Sequence, residues 1–322
     1  MNQTVQQLSA SRKGILATDS TKGIIRRFEA AGLTFAPELD KRYKELLFNT
    51  NNLENYISGV ILNDSNIKIG LGEILKQKGI EIGIKVDEGL ESFNNTDEQI
   101  TKGLEVLSER LENYKKYGAT FTKWRGVFNI SDIHPSDNFI SENLRRMADY
   151  AKLVQDKGMV PIVEPEVLYD GNHTNARCEE VTTKVLKKLF DILKEKDVNL
   201  TNLILKSNMV LPGKDSGVTM MPLEVSNSTL RTLQNSVPND VPLIVFLSGG
   251  QTSEQAIFNL NEIVKLNIEK KFGGWDLTFS FERALQEGVL DVWCGKEENV
   301  SKAQEVFSNR LQKVSKARIG EL

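Results

Sequence analysis

The chain has 322 residues, of which 39% are hydrophobic and 26% charged, a composition typical of globular proteins. A formal charge of -3, mixed along the chain, offers nothing to recruit nucleic acid, and no apolar run reaches the roughly 18 residues that a membrane helix needs. Two cysteines outside any CxxC pair, two histidines in separate segments and an N-terminus without an apolar core disfavour disulfides, a zinc site and secretion. We therefore expect a cytoplasmic protein that binds neither nucleic acid nor membrane and uses no metal or cofactor.

Eight short apolar runs have the length and the β-branched content of buried strands. In chain order they are KGILATD (13–19), YISGVIL (56–62), EIGIKVD (81–87), FTKWRGVF (121–128), MVPIVEPE (159–166), NLILKSNM (202–209), VPLIVFLSGG (241–250) and WDLTFSF (275–281). The intervening segments carry helix signals, including possible capping boxes at Thr96 with Gln99 and at Thr252 with Gln255, and an amphipathic pattern over 100–118.

The repeated order of strand and helix predicts a parallel sheet. Eight such units in a chain of this length favour a (β/α)8 barrel, and a doubly wound sheet is the main alternative. No linker or low-complexity segment divides the chain. We therefore expect one barrel domain over 1–322, with a C-terminal helix and a short tail from about residue 296.

Almost every predicted strand ends in an ionisable or hydrogen-bonding group, and in a (β/α)8 barrel the reacting groups lie at these ends. The residues are Asp19, Lys85 with Asp87, Lys123 with Arg125, Glu164 with Glu166, Lys206, Ser248 with Gly249 and Gly250, and Ser280 followed by Arg283. Because side chains alternate along a strand, the members of each charged pair face the same side. The alternative to a catalytic cluster is a set of buried ion pairs that only closes the barrel.

Lys206 ends the apolar run 203–205, where a buried ammonium is costly. Like charges and desolvation both disfavour protonation, so the grouping of Lys206 with Lys85, Lys123 and Arg125 predicts one neutral, nucleophilic amine. Such an amine attacks a carbonyl to form a Schiff base, whose iminium accepts electrons as a neighbouring C–C bond breaks or forms. Lys206 is the candidate because its own strand offers no counter-ion. The alternative is a lysine that extends to solvent at the barrel rim.

The stretch LSGGQTSEQ predicts an anion site. Gly249 and Gly250 let backbone N–H groups approach a ligand, and a helix that begins near Thr252 adds the positive end of its dipole. Arg283 follows the last strand, and the loops after the seventh and eighth strands often bind phosphate in this fold. Arg27, in the first helix after Asp19, is a candidate for a second phosphate, with an exposed surface arginine as the alternative.

Seven segments of the chain resemble, in order, those of class I fructose-bisphosphate aldolases. They are GILATD, GIKVD, TKWRGVFNI, PIVEPEVLYDGNH, LILKSNMVLPG, LIVFLSGGQTSEQAIFNLN and WDLTFSFERALQ, and they span nearly the whole chain. The resemblance implies a (β/α)8 enzyme of glycolysis and gluconeogenesis that splits fructose 1,6-bisphosphate reversibly into dihydroxyacetone phosphate and glyceraldehyde 3-phosphate without metal. It also implies a homo-oligomer, commonly a homotetramer in the family.

The same resemblance implies a role for each matching residue. Lys206 would form the Schiff base with the ketose carbonyl, Glu164 would move protons during dehydration, and Asp19 would act as base on the C4 hydroxyl. Lys123 would favour the neutral nucleophile and orient the substrate. The rest of the polar cluster would be Lys85, Arg125 and Glu166, one phosphate would bind at Ser248, Gly249, Gly250, Ser280 and Arg283, and Arg27 would approach the other.

The chain departs from the family pattern at several positions. Glu88 stands where many members have lysine, Gly23 stands near an expected phosphate-binding serine, and Glu282 replaces a usual glycine beside the phosphate loop. A negative charge there opposes a phosphate dianion. The last residues, GEL, lack the tyrosine that animal members use for proton exchange, so another group or water would take that role.

Two other functions are compatible with the lysine chemistry or the fold. The first is another Schiff-base barrel, such as a transaldolase or an aldolase for a different phosphorylated sugar. The second is a non-catalytic scaffold, which has no reason to keep costly charges such as Asp19, Lys123, Glu164 and Lys206 together.

Overall fold

A computed structural model describes residues 2–322 and has a closed barrel of eight parallel strands at its centre. Each barrel strand pairs with the next along the chain, and the last pairs with the first, so the prediction of a (β/α)8 barrel is confirmed and the doubly wound sheet is excluded. The barrel strands are β1 (Gly14–Ala17), β2 (Ile57–Leu62), β3 (Glu81–Lys85), β6 (Phe121–Phe128), β7 (Val160–Val167), β8 (Ile204–Ser207), β9 (Leu243–Phe246) and β10 (Asp276–Phe281), and a separate hairpin pairs β4 (Leu90–Ser92) with β5 (Gln99–Thr101).

Helices alternate with the barrel strands. They are α1 (Gln3–Leu8), α2 (Thr21–Ala30), α3 (Pro37–Phe48), α4 (Asp64–Lys68), α5 (Leu71–Gln77), α6 (Leu107–Lys116), α7 (Asp137–Asp156), α8 (Asn175–Glu195), α9 (Pro222–Ser236), α10 (Ser253–Lys270), α11 (Arg283–Gln286), α12 (Val289–Trp293) and α13 (Val300–Ala317). Short 3₁₀ turns cover Leu53–Asn55, Leu200–Asn202 and Glu297–Asn299. The apolar faces of the helices pack with the outward side chains of the strands in one continuous core.

The two-residue period of each strand separates this outer core from the barrel interior. In β8, Leu205 belongs to the outer core, whereas Ile204 lies in a second, interior cluster. Lys206 comes two residues after Ile204, so its side chain also faces the barrel interior. The same alternation in β7 places Ile162 in the interior cluster and Val163 in the outer core, so that Glu164 faces inward beside Lys206.

Apolar side chains close the amino-terminal end of the barrel. Val5 and Leu8 of α1 join the interior cluster with Phe121 of β6, and all three are fully buried. Phe121 needs the bare backbone of Gly83, because a Cβ there would lie 2.2 Å from its ring. Only the carboxyl-terminal end of the barrel is left for polar side chains.

The hairpin β4–β5 corrects two predictions. No helix begins at Thr96, whose hydroxyl instead donates a hydrogen bond of 2.6 Å to the carbonyl of Phe93. Asn94 and Asn95 both have positive φ, and this left-handed pair turns the chain back on itself. The helical pattern predicted over 100–118 is therefore realised only in α6, because its first residues pair in β5.

Candidate active site

A cavity of about 700 Å³ opens at the carboxyl-terminal end of the barrel. All predicted site residues except Arg27 line it, which brings together residues from seven strands or the segments that follow them. They are Asp19, Lys85, Lys123, Arg125, Glu164, Glu166, Lys206, Ser248, Gly249, Gly250, Ser280 and Arg283.

Four buried charges form a continuous row in the floor of the cavity. The Nζ of Lys123 lies 2.6 Å from Oδ2 of Asp19 and 3.1 Å from Oε2 of Glu164. The other oxygen of Glu164, Oε1, lies 2.9 Å from the Nζ of Lys206. The four side chains are at most 5% exposed.

The row corrects the argument from like-charge crowding. Lys206 has no counter-ion on its own strand, but the neighbouring strand β7 supplies Glu164. Negative and positive groups alternate from Asp19 through Lys123 and Glu164 to Lys206, so each buried ammonium contacts a carboxylate. An attacking amine at Lys206 thus has an acceptor for its proton within hydrogen-bonding distance.

The protonation states of Lys123 and Glu164 follow from this arrangement. Burial alone would lower the pKa of Lys123, but the attraction of Asp19, Glu164 and Asp87 outweighs it and raises the pKa above its usual value. Burial alone would raise the pKa of Glu164, but Lys123, Lys206 and Arg125 outweigh it and lower the pKa to about 2. Both groups are therefore charged near neutral pH.

Two further ion pairs stand nearer the rim of the cavity. Nε of Arg125 lies 2.5 Å from Oε2 of Glu166. Nζ of Lys85 lies 2.6 Å from Oδ1 of Asp87 and donates to the backbone carbonyl of the same residue at 2.7 Å. Strand alternation predicted that Asp87 shares a face with Lys85, but it did not indicate what Asp87 does. In the structure Asp87 is the counter-ion of Lys85.

The predicted anion loop lies between β9 and α10. Gly250 has φ +75°, and a Cβ on it would lie 2.2 Å from the ring of Tyr169, so a side chain is excluded there. Thr252 accepts a hydrogen bond from the backbone N–H of Gln255, whose side chain accepts one in return from the Thr252 N–H, which confirms the predicted capping box. The loop therefore enters α10 in a fixed direction.

Two polar side chains from β10 and its end complete this part of the cavity. The hydroxyl of Ser280 is buried and has no hydrogen-bond partner within residues 2–322. The guanidinium of Arg283 donates to the backbone carbonyls of Ser248, at 3.4 Å, and Gln251. Gln251 was not among the predicted residues, because nothing in its position after two glycines indicated that its carbonyl would hold an arginine.

Arg27 does not line the cavity, because Glu282 stands at the cavity wall and binds it. Nη2 of Arg27 donates to Oε1 of Glu282 at 2.6 Å, and Nη1 donates to Oε1 of Gln286 at 2.9 Å. Lys22 does line the cavity and makes no ion pair in the described part of the chain. Its place in the first turn of α2, three residues after Asp19, was the signal that could have identified it.

Other kinds of site are not evident in residues 2–322. No group of three or more His, Cys, Asp or Glu side chains there is arranged to hold a metal ion. In the same range, every helix is too short or too polar to cross a bilayer.

A closed (β/α)8 barrel whose cavity holds a buried lysine among carboxylates is typical of a Schiff-base lyase. Comparison with known proteins makes the assignment specific. The model of the family described as glycolytic class-I fructose-bisphosphate aldolase matches residues 1–322. The chain belongs to this family.

Similar proteins support the assignment over the full length. A cytosolic fructose-bisphosphate aldolase of Arabidopsis thaliana is 43% identical over 96% of this chain and 80% of its own length. The aldolase of Encephalitozoon cuniculi is 40% identical over 100% of this chain and 96% of its own. A solved fructose-bisphosphate aldolase from Plasmodium falciparum, in complex with TRAP and a small-molecule inhibitor, superposes with a TM-score of 0.94 at 42% identity over 99% of this chain and 93% of its own.

The predicted activity is thereby confirmed. The chain is a class I fructose-bisphosphate aldolase, a lyase that acts on phosphorylated sugars and reversibly cleaves fructose 1,6-bisphosphate in glycolysis. Enzymes of this class use a lysine Schiff base rather than a metal ion.

Proposed function

We propose that Lys206 is the Schiff-base nucleophile, with Glu164, Asp19 and Lys123 as the groups that move and hold protons around it. The observation that supports this most strongly is the contact of 2.9 Å between the buried Nζ of Lys206 and the carboxylate of Glu164, at the wall of the cavity. A buried amine with a proton acceptor in contact is the arrangement that attack on a carbonyl requires.

The first half of the reaction uses the contact between Lys206 and Glu164. The carboxylate takes a proton from the ammonium, and the freed amine adds to the ketose carbonyl to give a carbinolamine. Glu164 then returns a proton to the carbinolamine hydroxyl, which leaves as water and yields the iminium. Lys123 stays charged between Asp19 and Glu164, and its positive charge stabilises both carboxylates when the substrate displaces water.

The second half breaks the C3–C4 bond. Asp19 accepts the proton of the C4 hydroxyl, the C4–O bond becomes the aldehyde carbonyl, and the electrons of the C3–C4 bond flow into the iminium to give an enamine. Asp19 and Lys206 stand at opposite ends of the row. Asp19 can therefore contact the C4 hydroxyl while Lys206 contacts C2 of the same extended substrate. Protonation of the enamine at C3 and hydrolysis then release the ketose phosphate.

We assign the remaining cavity residues to substrate binding. The N–H groups of Gly249 and Gly250, the hydroxyls of Ser248 and Ser280 and the guanidinium of Arg283 surround a space suited to one phosphate. Lys85 and Arg125, each held by a carboxylate, are placed to donate hydrogen bonds to sugar hydroxyls, and Glu166 orients Arg125.

Replacement of the nucleophile tests the assignment. Lys206→Met should lower kcat for cleavage of fructose 1,6-bisphosphate on the order of 10⁴-fold or more, because the covalent route is lost. Lys214→Met is the matched control: Lys214 lies in the loop after β8 and forms an exposed ion pair with Asp170. It should change kcat by less than about twofold, since exposed pairs contribute little. Equal activity in the two variants would exclude Lys206 as the nucleophile.

We also propose that 1–322 forms one domain and that the enzyme works in the cytoplasm as a homo-oligomer, with the homotetramer as the expected state. The names of the similar cytosolic and cytoplasmic plant aldolases support the location. Sedimentation velocity tests the oligomeric state, and a monomer at cellular concentration would contradict it.

A further inference from the structure

Glu282 occupies a position between Arg27 and the cavity. It follows β10 directly, lines the cavity and accepts the 2.6 Å hydrogen bond from Nη2 of Arg27. The other end of the Arg27 guanidinium is held by Gln286, which in turn donates to the carbonyl of Ala17 at 3.1 Å. Arg27 is therefore fixed in place, and the anion that it faces is a side chain of the same protein.

The backbone of α2 makes room for this carboxylate. A Cβ on Gly23 would lie 3.4 Å from Oε1 of Glu282, in van der Waals contact, and 2.6 Å from the hydroxyl of Ser20. A larger side chain at position 23 would therefore reach into the space that Glu282 now fills. The two residues are structurally linked, because the small residue on α2 faces the acidic residue after β10.

We propose that Glu282 determines the substrate specificity of the enzyme, because its carboxylate takes the position beside Arg27 that a second substrate phosphate would need. The proposal rests on the aldolase site described above. The enzyme then binds one phosphate of a ketose firmly, at the loop 248–250, and gains little from Arg27 in binding the other. It therefore discriminates weakly between ketoses with two phosphates and those with one.

The electrostatics of the site support this inference. Burial, the largest cause, together with the negative charge of Asp19, raises the pKa of Glu282 despite the attraction of Arg27. Arg27 thus only partly offsets the cost of burying this carboxylate, and its negative charge repels a phosphate dianion that approaches Arg27. Replacement of Glu282 by a neutral residue should remove this repulsion and free the guanidinium, without leaving an unpaired buried anion.

The test compares two substrates, fructose 1,6-bisphosphate and fructose 1-phosphate, in the wild type, Glu282→Gln and Glu282→Gly. Both variants should raise kcat/KM for the bisphosphate about tenfold, through KM rather than kcat, because a like charge beside the dianion is removed. The value for the monophosphate should stay within about twofold, since its one phosphate binds at the loop 248–250, whereas the carboxylate of Glu282 pairs with Arg27. Adding Arg27→Ala to Glu282→Gln should cancel the gain.

Glu287→Gln is the matched control, because Glu287 lies five residues further on and pairs with Arg310 at the surface. It should leave the preference between the two substrates unchanged. Thermal unfolding shows whether each variant folds. The wild type alone provides a second test, the ratio of kcat/KM for the two substrates. Its kcat/KM for the bisphosphate should exceed that for the monophosphate by less than about tenfold, because the second phosphate gains no free cation at Arg27.

Several outcomes would overturn the inference. A wild-type preference for the bisphosphate above about a thousandfold would show that the second phosphate is already bound strongly. An unchanged preference in a folded Glu282 variant, or an equal loss of activity on both substrates, would show that Glu282 does not set specificity. If the wild type cleaves neither ketose, the aldolase assignment itself fails, and this result differs from all of the others.

Discussion

Glu164 is the residue on which the charge balance of the cavity depends. Its two carboxylate oxygens contact different lysines, Oε1 with Lys206 at 2.9 Å and Oε2 with Lys123 at 3.1 Å. Ion pairs buried to this degree are stable only while both partners remain charged. Loss of the negative charge would leave Lys206 without a partner and Lys123 with Asp19 alone.

Glu164→Gln should therefore destabilise the fold in a pH-dependent way. The folded-state pKa of about 2 lies below the ordinary value of 4.5, so the carboxylate contributes stability above about pH 4.5 and loses it as the pH falls toward 2. The free energy of unfolding of the variant should be about 3 kcal/mol lower than that of the wild type at pH 7, and this difference should become smaller below pH 4.5. Denaturant unfolding of both proteins between pH 7 and pH 2.5 measures the difference.

Glu105→Gln, which removes an exposed carboxylate, is the control and should show almost no difference from the wild type across this range. A gap for Glu164→Gln that does not change between pH 7 and pH 2.5 would contradict the charge balance described here.

At the scale of elements, the N-terminus of α10 connects stability to substrate binding. Its capping box satisfies backbone N–H groups of the first turn and fixes the direction in which the loop 248–250 enters the helix. The N-cap of α8 is chemically similar, since Thr174 accepts a hydrogen bond from the N–H of Arg177, but α8 does not follow the anion loop.

Thr252→Ala and Thr174→Ala should each lower the free energy of unfolding by about 1 kcal/mol, the usual cost of a lost N-cap. Only Thr252→Ala should also raise KM for fructose 1,6-bisphosphate several-fold, because only that helix presents the phosphate loop. Urea unfolding and steady-state kinetics of both variants check this. Equal effects on KM would mean that the box has no part in positioning the loop.

Hairpin β4–β5 shows what the sequence signals missed among the elements. Thr96 and Gln99 have the spacing of a capping box, but Asn94 and Asn95 adopt left-handed conformations and close a turn before any helix can begin. Two asparagines in a row are a turn signal of equal strength, and here the turn outweighs the capping signal. The capping box predicted at Thr252 does form, because no such turn competes with it.

At the scale of the whole molecule, the barrel has one apolar and one polar end. Fully buried side chains of α1 and β6 close the amino-terminal end, whereas the row from Asp19 to Lys206 lines the other. Alternation within each strand was enough to predict which residues face inward. It explains why both the barrel and nearly all cavity residues could be predicted from the sequence.

Contacts between strands could not be predicted, because they depend on register. The pairing of Val163 with Leu205 sets Glu164 beside Lys206, which gives the nucleophile a counter-ion that its own strand lacks. Asp19 and Lys123 meet across the barrel interior from strands that are not neighbours. No local sequence pattern predicts either contact, and none predicts the pairing of Arg27 with Glu282.

Covalent trapping tests the central claim, that Lys206 forms the Schiff base, most directly. Borohydride reduces an iminium to a stable amine, so wild-type enzyme treated with dihydroxyacetone phosphate and borohydride should lose activity irreversibly, and mass mapping should find one adduct, on Lys206. Treatment with EDTA alone should leave activity intact. An adduct on Lys85, Lys123 or another lysine, or no adduct in an active enzyme, would contradict the account.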